Sequence, residues 1–273
     1  MGKFDGILIC TDLDGTLYRK DKTISKENKD AIEYFKREGG YFTFITGRMP
    51  YYSMDAYDAA SPNIPFGCIN GGGIYDGVSG KYVWTCDISR DVFDLVESVE
   101  LGVPEVGIQV CCYDKTYFYN DNEGMQWFRK ITKLPGLFCH YREVKEPISK
   151  IIFCTEVEDE IVKVEKILKE HRLANEFEFV RSERRLFEIL PKGVDKGLAL
   201  GKLVEYLKID KSRSIGIGDY DNDIGMFSAA GVGIAVANAC QAAKDAADFI
   251  TVSNEEHALA RVIADIESGK YGF

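Results

Sequence analysis

The sequence lacks the features that mark several common classes of protein. Its eight cysteines contain no Cys-x-x-Cys pair, so neither a zinc site nor a dithiol redox centre is indicated. No apolar run approaches the ~18 residues of a membrane span, and the first residues lack the basic and long apolar regions of a signal peptide. No stretch of lysine and arginine forms a basic patch, and the formal net charge is -10. We therefore expect a cytoplasmic protein that has neither a membrane nor a nucleic-acid polymer as a partner.

Motifs of nucleotide and calcium sites are also missing. No Walker A loop occurs, and the pair Gly216 and Gly218 is not completed to a dinucleotide fingerprint, because Asp221 stands where the third glycine is needed. The alternating acids from Asp219 onward resemble a calcium loop, but Ile224 occupies the position that requires glycine. A carboxylate-rich segment remains, and its oxygen ligands suit Mg²⁺.

The order of apolar and helix-like segments predicts two domains. At 273 residues and 45% hydrophobic content, the chain is long enough to form more than one core. Both ends alternate strand-like and helix-like runs, which predicts an α/β fold with a Rossmann-like, doubly wound parallel sheet. Residues 82–187 change to aromatic and β-branched runs, which predicts an inserted α+β cap domain between core segments 1–81 and 188–273. The predicted core elements are strands over residues 6–10, 41–45, 66–69, 214–217 and 231–236, and helices over residues 26–37, 197–207 and 255–266.

Two aspartates, one residue apart, follow the first predicted strand. An extended chain repeats its side-chain direction at every second residue, so Asp12 and Asp14 can point to one place. Two carboxylates ~4 Å apart repel each other by roughly 4 kcal/mol at an effective dielectric constant of ~20. A bound cation, a shared proton or a separate role for each residue would make the pair tolerable. A solvated turn at the end of the strand is the alternative explanation, since Asp and Gly are ordinary turn residues.

Three further segments place polar groups after later strands or at a helix start. Thr46 and Gly47 offer a hydroxyl and backbone N–H groups that suit a phosphate oxygen, although a strand-to-helix turn also explains them. Asn70 either contacts a substrate or belongs to a tight turn. Lys196 begins a predicted helix, where the helix dipole disfavours a cation. It is either a surface lysine or the local positive charge that a phosphate needs in this acidic protein.

Taken in order, these segments resemble the four motifs of the haloacid dehalogenase superfamily of phosphohydrolases. The first motif is matched by residues 12–17 (Asp-Leu-Asp-Gly-Thr-Leu), the second by Thr46, the third by Lys196 and the fourth by residues 218–223 (Gly-Asp-x-x-Asn-Asp). The whole chain is similar to the Cof-type branch, which includes sugar phosphatases with an inserted type IIB cap. Residues 187–191 also resemble the Cof-type sequence at the exit from the cap.

The resemblance implies a role for each matched residue. Asp12 is expected to be the nucleophile that attacks phosphorus and forms an aspartyl phosphate, and Asp14 the general acid and base. The implied ligands of Mg²⁺ are Asp12, Asp14 through its backbone carbonyl, and Asp219. The implied phosphate-binding residues are Thr46, Gly47, Lys196 and Asn222. Asp223 would orient Lys196 or the water ligands of the metal.

The resemblance further implies a Mg²⁺-dependent phosphatase acting on a small phosphorylated metabolite, a sugar phosphate or a similar phosphomonoester. The acid at Asp14 separates the chain from the dehalogenases and cation-pumping ATPases of the same superfamily. A phosphomutase that uses the same nucleophile and a non-catalytic metabolite-binding regulator are the alternatives. Arg48 is expected to contact the phosphate, the cap or the following helix. A monomer or a homodimer is expected.

Overall fold

The computed structural model describes residues 2–273, along which strands and helices alternate. The strands are β1 (Leu8–Thr11), β2 (Tyr41–Phe44), β3 (Phe66–Cys68), β4 (Gly73–Asp76), β5 (Lys81–Thr85), β6 (Gly107–Cys112), β7 (Thr116–Tyr119), β8 (Leu137–Phe138), β9 (Ile148–Cys154), β10 (Phe177–Glu183), β11 (Leu186–Pro191), β12 (Ser214–Gly218), β13 (Val232–Ala235) and β14 (Phe249–Ile250). The helices are α1 (Lys26–Arg37), α2 (Pro50–Ala60), α3 (Val92–Gly102), α4 (Glu123–Thr132), α5 (Glu158–Glu170), α6 (Lys196–Leu207), α7 (Ile224–Ala229), α8 (Gln241–Ala246) and α9 (Ala258–Glu267). None of these helices is both long and apolar enough to cross a bilayer.

The described chain separates into two compact units. The first comprises the chain up to Trp84 together with Asp195–Phe273, and the second comprises Thr85–Val194. The second unit is thus inserted into the first in chain order. The sequence pattern ended the inserted domain at residue 187, but the second unit extends to Val194. The reason is that β11 continues to Pro191 while it pairs with β9 and β10.

Five parallel strands form the sheet of the first unit, in the order β14-β13-β12-β1-β2. In the central strand β1, Leu8 lies opposite Ser214 of β12 and Tyr41 of β2, and all four residues of β1 are buried. Helices α1 and α9 pack against each other, and so do α6 and α7. This is the predicted Rossmann-like, doubly wound α/β fold. Because the carboxyl ends of parallel strands meet at one edge, the residues that follow β1, β2 and β12 come together.

Helix α1 shows how local sequence sets an element of this unit. Its N-cap Ser25 accepts a hydrogen bond from the backbone nitrogen of Asn28 at 3.2 Å. Lys36 and Arg37 lie in the last turn, where cations are favoured by the helix dipole. Gly39 follows with a φ of 92°. The predicted helix over residues 26–37 is confirmed with both bounds.

The strand predicted over residues 66–69 was expected in the parallel sheet of the core, but it lies in a different sheet. β3 pairs antiparallel with β4 in a separate three-stranded sheet with β5. In the described chain, one parallel bridge between Ile45 and Gly67 connects it to the end of β2.

A tight turn after β3 returns the chain to the sheet edge. Ile69 and Asn70 have φ values of 58° and 50°, and Gly71 has a φ of 103°. A Cβ atom at Gly71 would lie 1.8 Å from the backbone oxygen of Asp195, so only glycine fits there. The turn places the backbone nitrogen of Asn70 3.0 Å from the carbonyl oxygen of Thr46, which accepts its hydrogen bond.

The inserted unit is a six-stranded sheet in the order β10-β11-β9-β6-β7-β8, with α3 and α5 packed against each other. Its strands pair antiparallel except for β7 with β8. One apolar cluster joins both helices to the sheet through buried residues such as Val96, Val164 and Phe153. This unit is the predicted α+β domain.

Candidate active site

Lys196 lies between two carboxylates at the edge of the parallel sheet. Its Nζ donates to Oδ1 of Asp12 at 2.6 Å and to Oδ1 of Asp223 at 2.5 Å, and its side chain is 1% exposed. Burial acts to lower the pKa of Lys196, but the two carboxylates outweigh burial and raise that pKa above its usual value. The side chain therefore stays charged, and it fixes one oxygen of Asp12, the residue directly after β1.

Asp223 uses both of its carboxylate oxygens within the loop after β12. Oδ1 accepts from Lys196, and Oδ2 accepts from the backbone nitrogens of Asp219 at 2.8 Å and Tyr220 at 3.0 Å. A Cβ atom at Gly218 would lie 2.3 Å from Cγ of Asp223, so the close approach depends on glycine. Asp223 thus orients Lys196 and the loop that carries Asp219.

Asp219 contacts the first motif of the chain. Its Oδ1 accepts a hydrogen bond from the hydroxyl of Thr16 at 2.8 Å. Gly15 has a φ of 85°, and a Cβ atom there would lie 2.4 Å from Oδ2 of Asp219. Burial raises the pKa of Asp219 to about 6 against the effect of the Thr16 hydrogen bond, and the nearby carboxylate of Asp223 adds to the rise.

Three carboxylates share this edge of the sheet. One oxygen of each of Asp12, Asp219 and Asp223 lies within 4.8 Å of the others. Burial is the main cause that raises the pKa of Asp12 well above the usual carboxyl value. Lys196 acts to lower this pKa, whereas the nearby carboxylates of Asp223 and Asp219 raise it further. When all three carboxylates are ionised, the one ammonium leaves two negative charges uncompensated, which a divalent cation would balance; the raised pKa values of Asp12 and Asp219 reflect the cost of that charge without a cation. The donor set, all oxygen and mostly carboxylate, fits Mg²⁺.

The carboxylate of Asp14 lies outside this cluster and has its own cations. Nε of Arg48 lies 3.1 Å from its Oδ2, Nη2 of Arg48 lies 2.6 Å from Oδ2, and Nζ of Lys22 lies 2.7 Å from Oδ1. Burial acts to raise the pKa of Asp14, but Arg48 and Lys22 outweigh it, so the pKa is lowered. The sequence left three explanations open for Asp12 and Asp14: a bound cation, a shared proton or a separate role for each. The different surroundings of the two carboxylates match separate roles.

Three of the residues expected to contact phosphate, Thr46, Gly47 and Asn222, lie around Asn70. The hydroxyl of Thr46 accepts from the backbone nitrogen of Arg48 at 3.3 Å, and Nδ2 of Asn222 donates to Oδ1 of Asn70 at 3.3 Å. A Cβ atom at Gly47 would lie 2.8 Å from the same Asn70 oxygen. Asn70 therefore accepts from the Asn222 side chain and lies directly beside Gly47, within the tight turn that was one of its two expected settings.

The family model of the haloacid dehalogenase-like hydrolases matches residues 9–263, almost the whole chain. The chain belongs to this family. The predicted family and the prediction of a hydrolase are therefore confirmed.

Individual relatives of this hydrolase match it over nearly its full length. It is 29% identical over 269 residues to the 5-amino-6-(5-phospho-D-ribitylamino)uracil phosphatase YitU of Bacillus subtilis, covering 94% of this chain and 96% of that protein. A haloacid dehalogenase-like hydrolase from Bacteroides thetaiotaomicron is 25% identical, with a TM-score of 0.80 over 95% of this chain and 99% of the other. The subclass IIB sugar phosphatase BT4131 is 18% identical with a TM-score of 0.82 over 95% and 98% of the two chains, which shows a shared fold.

In this hydrolase the sequence pattern missed some side chains that complete the site. Thr16 lies inside the first motif, and its spacing from Asp12 was a usable signal for a contact near the metal site. Lys22 carried no such signal, because it reaches Asp14 from a turn in which its own φ is 61°. The rings of Tyr18 and Tyr52, which flank Arg48 at 5.8 and 4.8 Å from its Cζ, were equally unpredictable from spacing.

Proposed function

We propose that this hydrolase is a Mg²⁺-dependent phosphatase that hydrolyses a small phosphomonoester through an aspartyl phosphate on Asp12. One observation carries the proposal: a buried ammonium group holds one oxygen of Asp12 beside two more carboxylates, with two negative charges left over. A carboxylate approaches a phosphate dianion only where positive charge screens their repulsion. Lys196 supplies part of that charge, and the carboxylate cluster is suited to bind the rest.

Asp12, the backbone carbonyl of Asp14 and Asp219 are the proposed ligands of Mg²⁺. Asp223 is assigned instead to orienting Lys196 and the loop that carries Asp219, through the three hydrogen bonds that its two oxygens accept. When bound, the ion would neutralise the excess negative charge and stabilise charge that develops on the phosphoryl oxygens. Thr46, Gly47, Lys196 and Asn222 are the proposed phosphate contacts.

The chemistry divides between Asp12 and Asp14. Oδ2 of Asp12 attacks phosphorus, and the bond from phosphorus to the leaving oxygen breaks. Asp14 gives a proton to that oxygen, which requires that the bound substrate draws Arg48 and Lys22 away from Asp14, because these two cations keep its pKa low in the free protein. A water molecule then attacks phosphorus, Asp14 takes a proton from this water, and the bond between phosphorus and Asp12 breaks. Lys196 keeps Oδ1 of Asp12 engaged throughout, so that the other oxygen faces the phosphate.

The leaving group is proposed to be a sugar or polyol. Several relatives, including proteins of Bacillus subtilis and Escherichia coli, are named as phosphatases of a phosphorylated ribitylaminouracil, whose phosphate is on a polyol chain. One relative in fold is named a sugar phosphatase. Both names support a small hydroxyl-bearing phosphomonoester as the substrate of this chain.

The test is phosphate release from p-nitrophenyl phosphate and from a panel of sugar, polyol and nucleotide phosphates. Each reaction is run with Mg²⁺, with EDTA, and with the Asp12→Asn variant as the blank. Metal-dependent release that Asp12→Asn abolishes is the expected result. Release that continues in EDTA or in the variant contradicts the proposal, and transfer of phosphate to a second hydroxyl without free phosphate would identify a mutase instead.

A further inference from the structure

Two cations contact Asp14, and they differ in how firmly they are held. Arg48 donates from two nitrogens to Oδ2 of Asp14, its side chain is 21% exposed, and the rings of Tyr18 and Tyr52 flank it. Nζ of Lys22 lies 2.7 Å from Oδ1 of Asp14, but its side chain is 65% exposed. An exposed ion pair contributes little to stability, because water screens it and the long side chain loses freedom. Lys22 is therefore the cation that can turn to a ligand at the smaller loss.

Lys22 occupies a backbone position that disfavours lysine. Its φ is 61°, in the left-handed region where a Cβ atom crowds the backbone and glycine is the ordinary residue. A tight turn imposes this conformation. The backbone nitrogen of Lys22 donates to the carbonyl oxygen of Arg19 at 2.9 Å, and that of Arg19 donates to the carbonyl oxygen of Thr23 at 2.9 Å. Glycine would fit this turn better, so the turn alone does not explain the lysine.

The backbone of this turn is anchored to the segment before α9. Glu255 accepts from the backbone nitrogen of Lys20 at 2.8 Å and from Nε of Arg19 at 3.2 Å. All residues of this contact belong to the first compact unit. The side chain of Lys22 therefore extends from a fixed base, and its flexible stem carries the ammonium group to Asp14 or to a molecule bound beside it.

The charges in contact with Asp14 do not balance. Lys22 and Arg48 each carry one positive charge, against the single carboxylate of Asp14. Asp21, the acid beside Lys22 in the chain, accepts from the backbone nitrogen and the hydroxyl of Thr23 at 3.0 and 2.6 Å, so it is engaged within the turn. The carboxylate cluster does not supply the balance once its own cation is bound. An anion at Lys22 would balance the positive charge that is left over.

The mechanism places this surplus charge beside the leaving group. Asp14 is the proposed acid for the leaving oxygen, so the cations that contact Asp14 lie close to the group that departs. The transferred phosphate has other proposed partners, among them Lys196 and Mg²⁺. An anion that meets Lys22 therefore belongs to the leaving group and not to the phosphate that is transferred.

We propose that Lys22 binds a second anionic group of the substrate, a carboxylate or a further phosphate that the leaving group carries. An ammonium group is a compact charge with three donors, and it binds either anion. This inference rests on the proposed function. It narrows the substrate from any sugar or polyol phosphate to the phosphate of a sugar acid or a sugar bisphosphate.

Two matched pairs of substrates test the proposal and separate the two anions. The compounds 6-phosphogluconate and glucitol 6-phosphate share an open six-carbon chain, and only the first has a carboxylate. Fructose 1,6-bisphosphate and fructose 6-phosphate differ in the second phosphate. We measure kcat/KM for phosphate release in the wild type, in Lys22→Met and in Lys22→Arg. Lys20→Met is the control, because its exposed side chain is on the same turn. The ratio of kcat/KM within each pair is compared, since every substrate uses Asp14 and an effect of Lys22 on Asp14 cancels in the ratio.

The wild type is expected to prefer the anionic member of at least one pair about tenfold, and that pair identifies the anion. Lys22→Met should reduce this preference about tenfold, whereas Lys22→Arg should keep most of it because the charge remains. Lys20→Met should have the preference of the wild type. No preference for the anionic member in either pair would overturn the proposal. A preference that Lys22→Met retains would do the same.

A binding measurement keeps the test independent of turnover. Isothermal titration with Mg²⁺ compares the four compounds on Asp12→Asn and on the double variant Asp12→Asn/Lys22→Met. Tighter binding of an anionic member by Asp12→Asn, lost in the double variant, supports the role of Lys22. No binding, or equal binding by the two proteins, overturns it. If the wild type releases phosphate from none of the four compounds, the proposed function fails, while these titrations still decide the role of Lys22.

Discussion

The guanidinium of Arg48 donates hydrogen bonds to the carboxylate of Asp14, which lies outside the cluster of Asp12, Asp219 and Asp223. Two of its nitrogens lie 3.1 and 2.6 Å from Oδ2 of Asp14, and its plane is flanked by Tyr18 and Tyr52. A planar guanidinium in this position fixes both the position and the direction of the carboxylate. The sequence left contact with the phosphate, the cap or the following helix open for Arg48, and the contact with Asp14 is none of these three.

We expect Arg48→Met to lower kcat for p-nitrophenyl phosphate about tenfold, because Asp14 then loses its fixed orientation toward the leaving oxygen. KM should change little. The kcat of Arg48→Lys should lie between those of the wild type and Arg48→Met, since an ammonium group keeps the positive charge but cannot make two parallel hydrogen bonds to the carboxylate. Steady-state kinetics measure this, with Arg37→Met as the control, because Arg37 also lies over a tyrosine ring but contacts no site residue. An unchanged kcat in Arg48→Met would show that Asp14 does not need this contact.

Replacing Lys196 removes the positive charge inside the cluster. We expect Lys196→Met to lower kcat at least a hundredfold. Without metal it should also lose about 3 kcal/mol of unfolding free energy, because Asp12 and Asp223 remain buried without their partner. Urea unfolding and phosphate release measure the two effects. Lys202→Met, on the same helix, removes a half-exposed lysine that pairs with Glu205 and lies over the ring of Trp84, and it should keep the activity of the wild type. Equal stability of the two variants would contradict the assigned role of Lys196.

The metal site is testable without catalysis. Mg²⁺ at a hundred times its dissociation constant should stabilise the wild type by about 2.7 kcal/mol, and the melting temperature should rise accordingly. Asp219→Ala should abolish most of this rise, because it removes a proposed ligand. Asp221→Asn is the matched control, since Asp221 is exposed in the same loop. A rise that persists in Asp219→Ala would place the ion elsewhere.

The acid sensitivity of the fold should depend in part on Asp265. Burial acts to raise the pKa of Asp265, but Lys270, Tyr271 and Arg261 lower it below the ordinary value. A lowered folded-state pKa means that the stabilisation is present above about pH 4 and is lost as the pH falls through the folded value. Asp265→Asn should therefore cost about 1 kcal/mol at pH 7, and the difference from the wild type should shrink below about pH 4.

Thermal unfolding of wild type and Asp265→Asn between pH 3 and pH 7 measures this dependence. Asp30→Asn, which removes one partner of an exposed i, i+4 pair, should show little difference at any pH. A constant difference between wild type and Asp265→Asn across this range would mean that the contribution of Asp265 is not electrostatic.

Sequence patterns predicted the features of this fold that are set locally. Helix α1 is correct to the residue because its cap, its charged last turn and its terminal glycine are all encoded within a few positions. The parallel sheet was predicted for a different reason, because the alternation of strand-like and helix-like runs at both ends of the chain is typical of parallel strands joined by helices. β3 was assigned to the wrong sheet, because pairing depends on partners far along the chain and not on the strand's own three residues.

The candidate site was predictable as far as its residues lie in short motifs at strand ends. The motif spacing could not show that Asp14 is held by Arg48 and Lys22, because those side chains reach it from separate turns. It also could not show that Asn70 lies beside Gly47 and accepts from Asn222, since a turn with positive φ has many sequence solutions.

The proposed nucleophile is tested most directly by trapping the enzyme during turnover. Wild-type protein turning over p-nitrophenyl phosphate with Mg²⁺ is quenched in acid within milliseconds, and its intact mass and peptides are measured. A single phosphoryl group on the peptide that contains Asp12, absent from Asp12→Asn and from protein quenched before substrate is added, is the predicted result. Phosphate release without any phosphorylated enzyme, or a phosphoryl group on another residue, would contradict the assignment of Asp12 as the nucleophile.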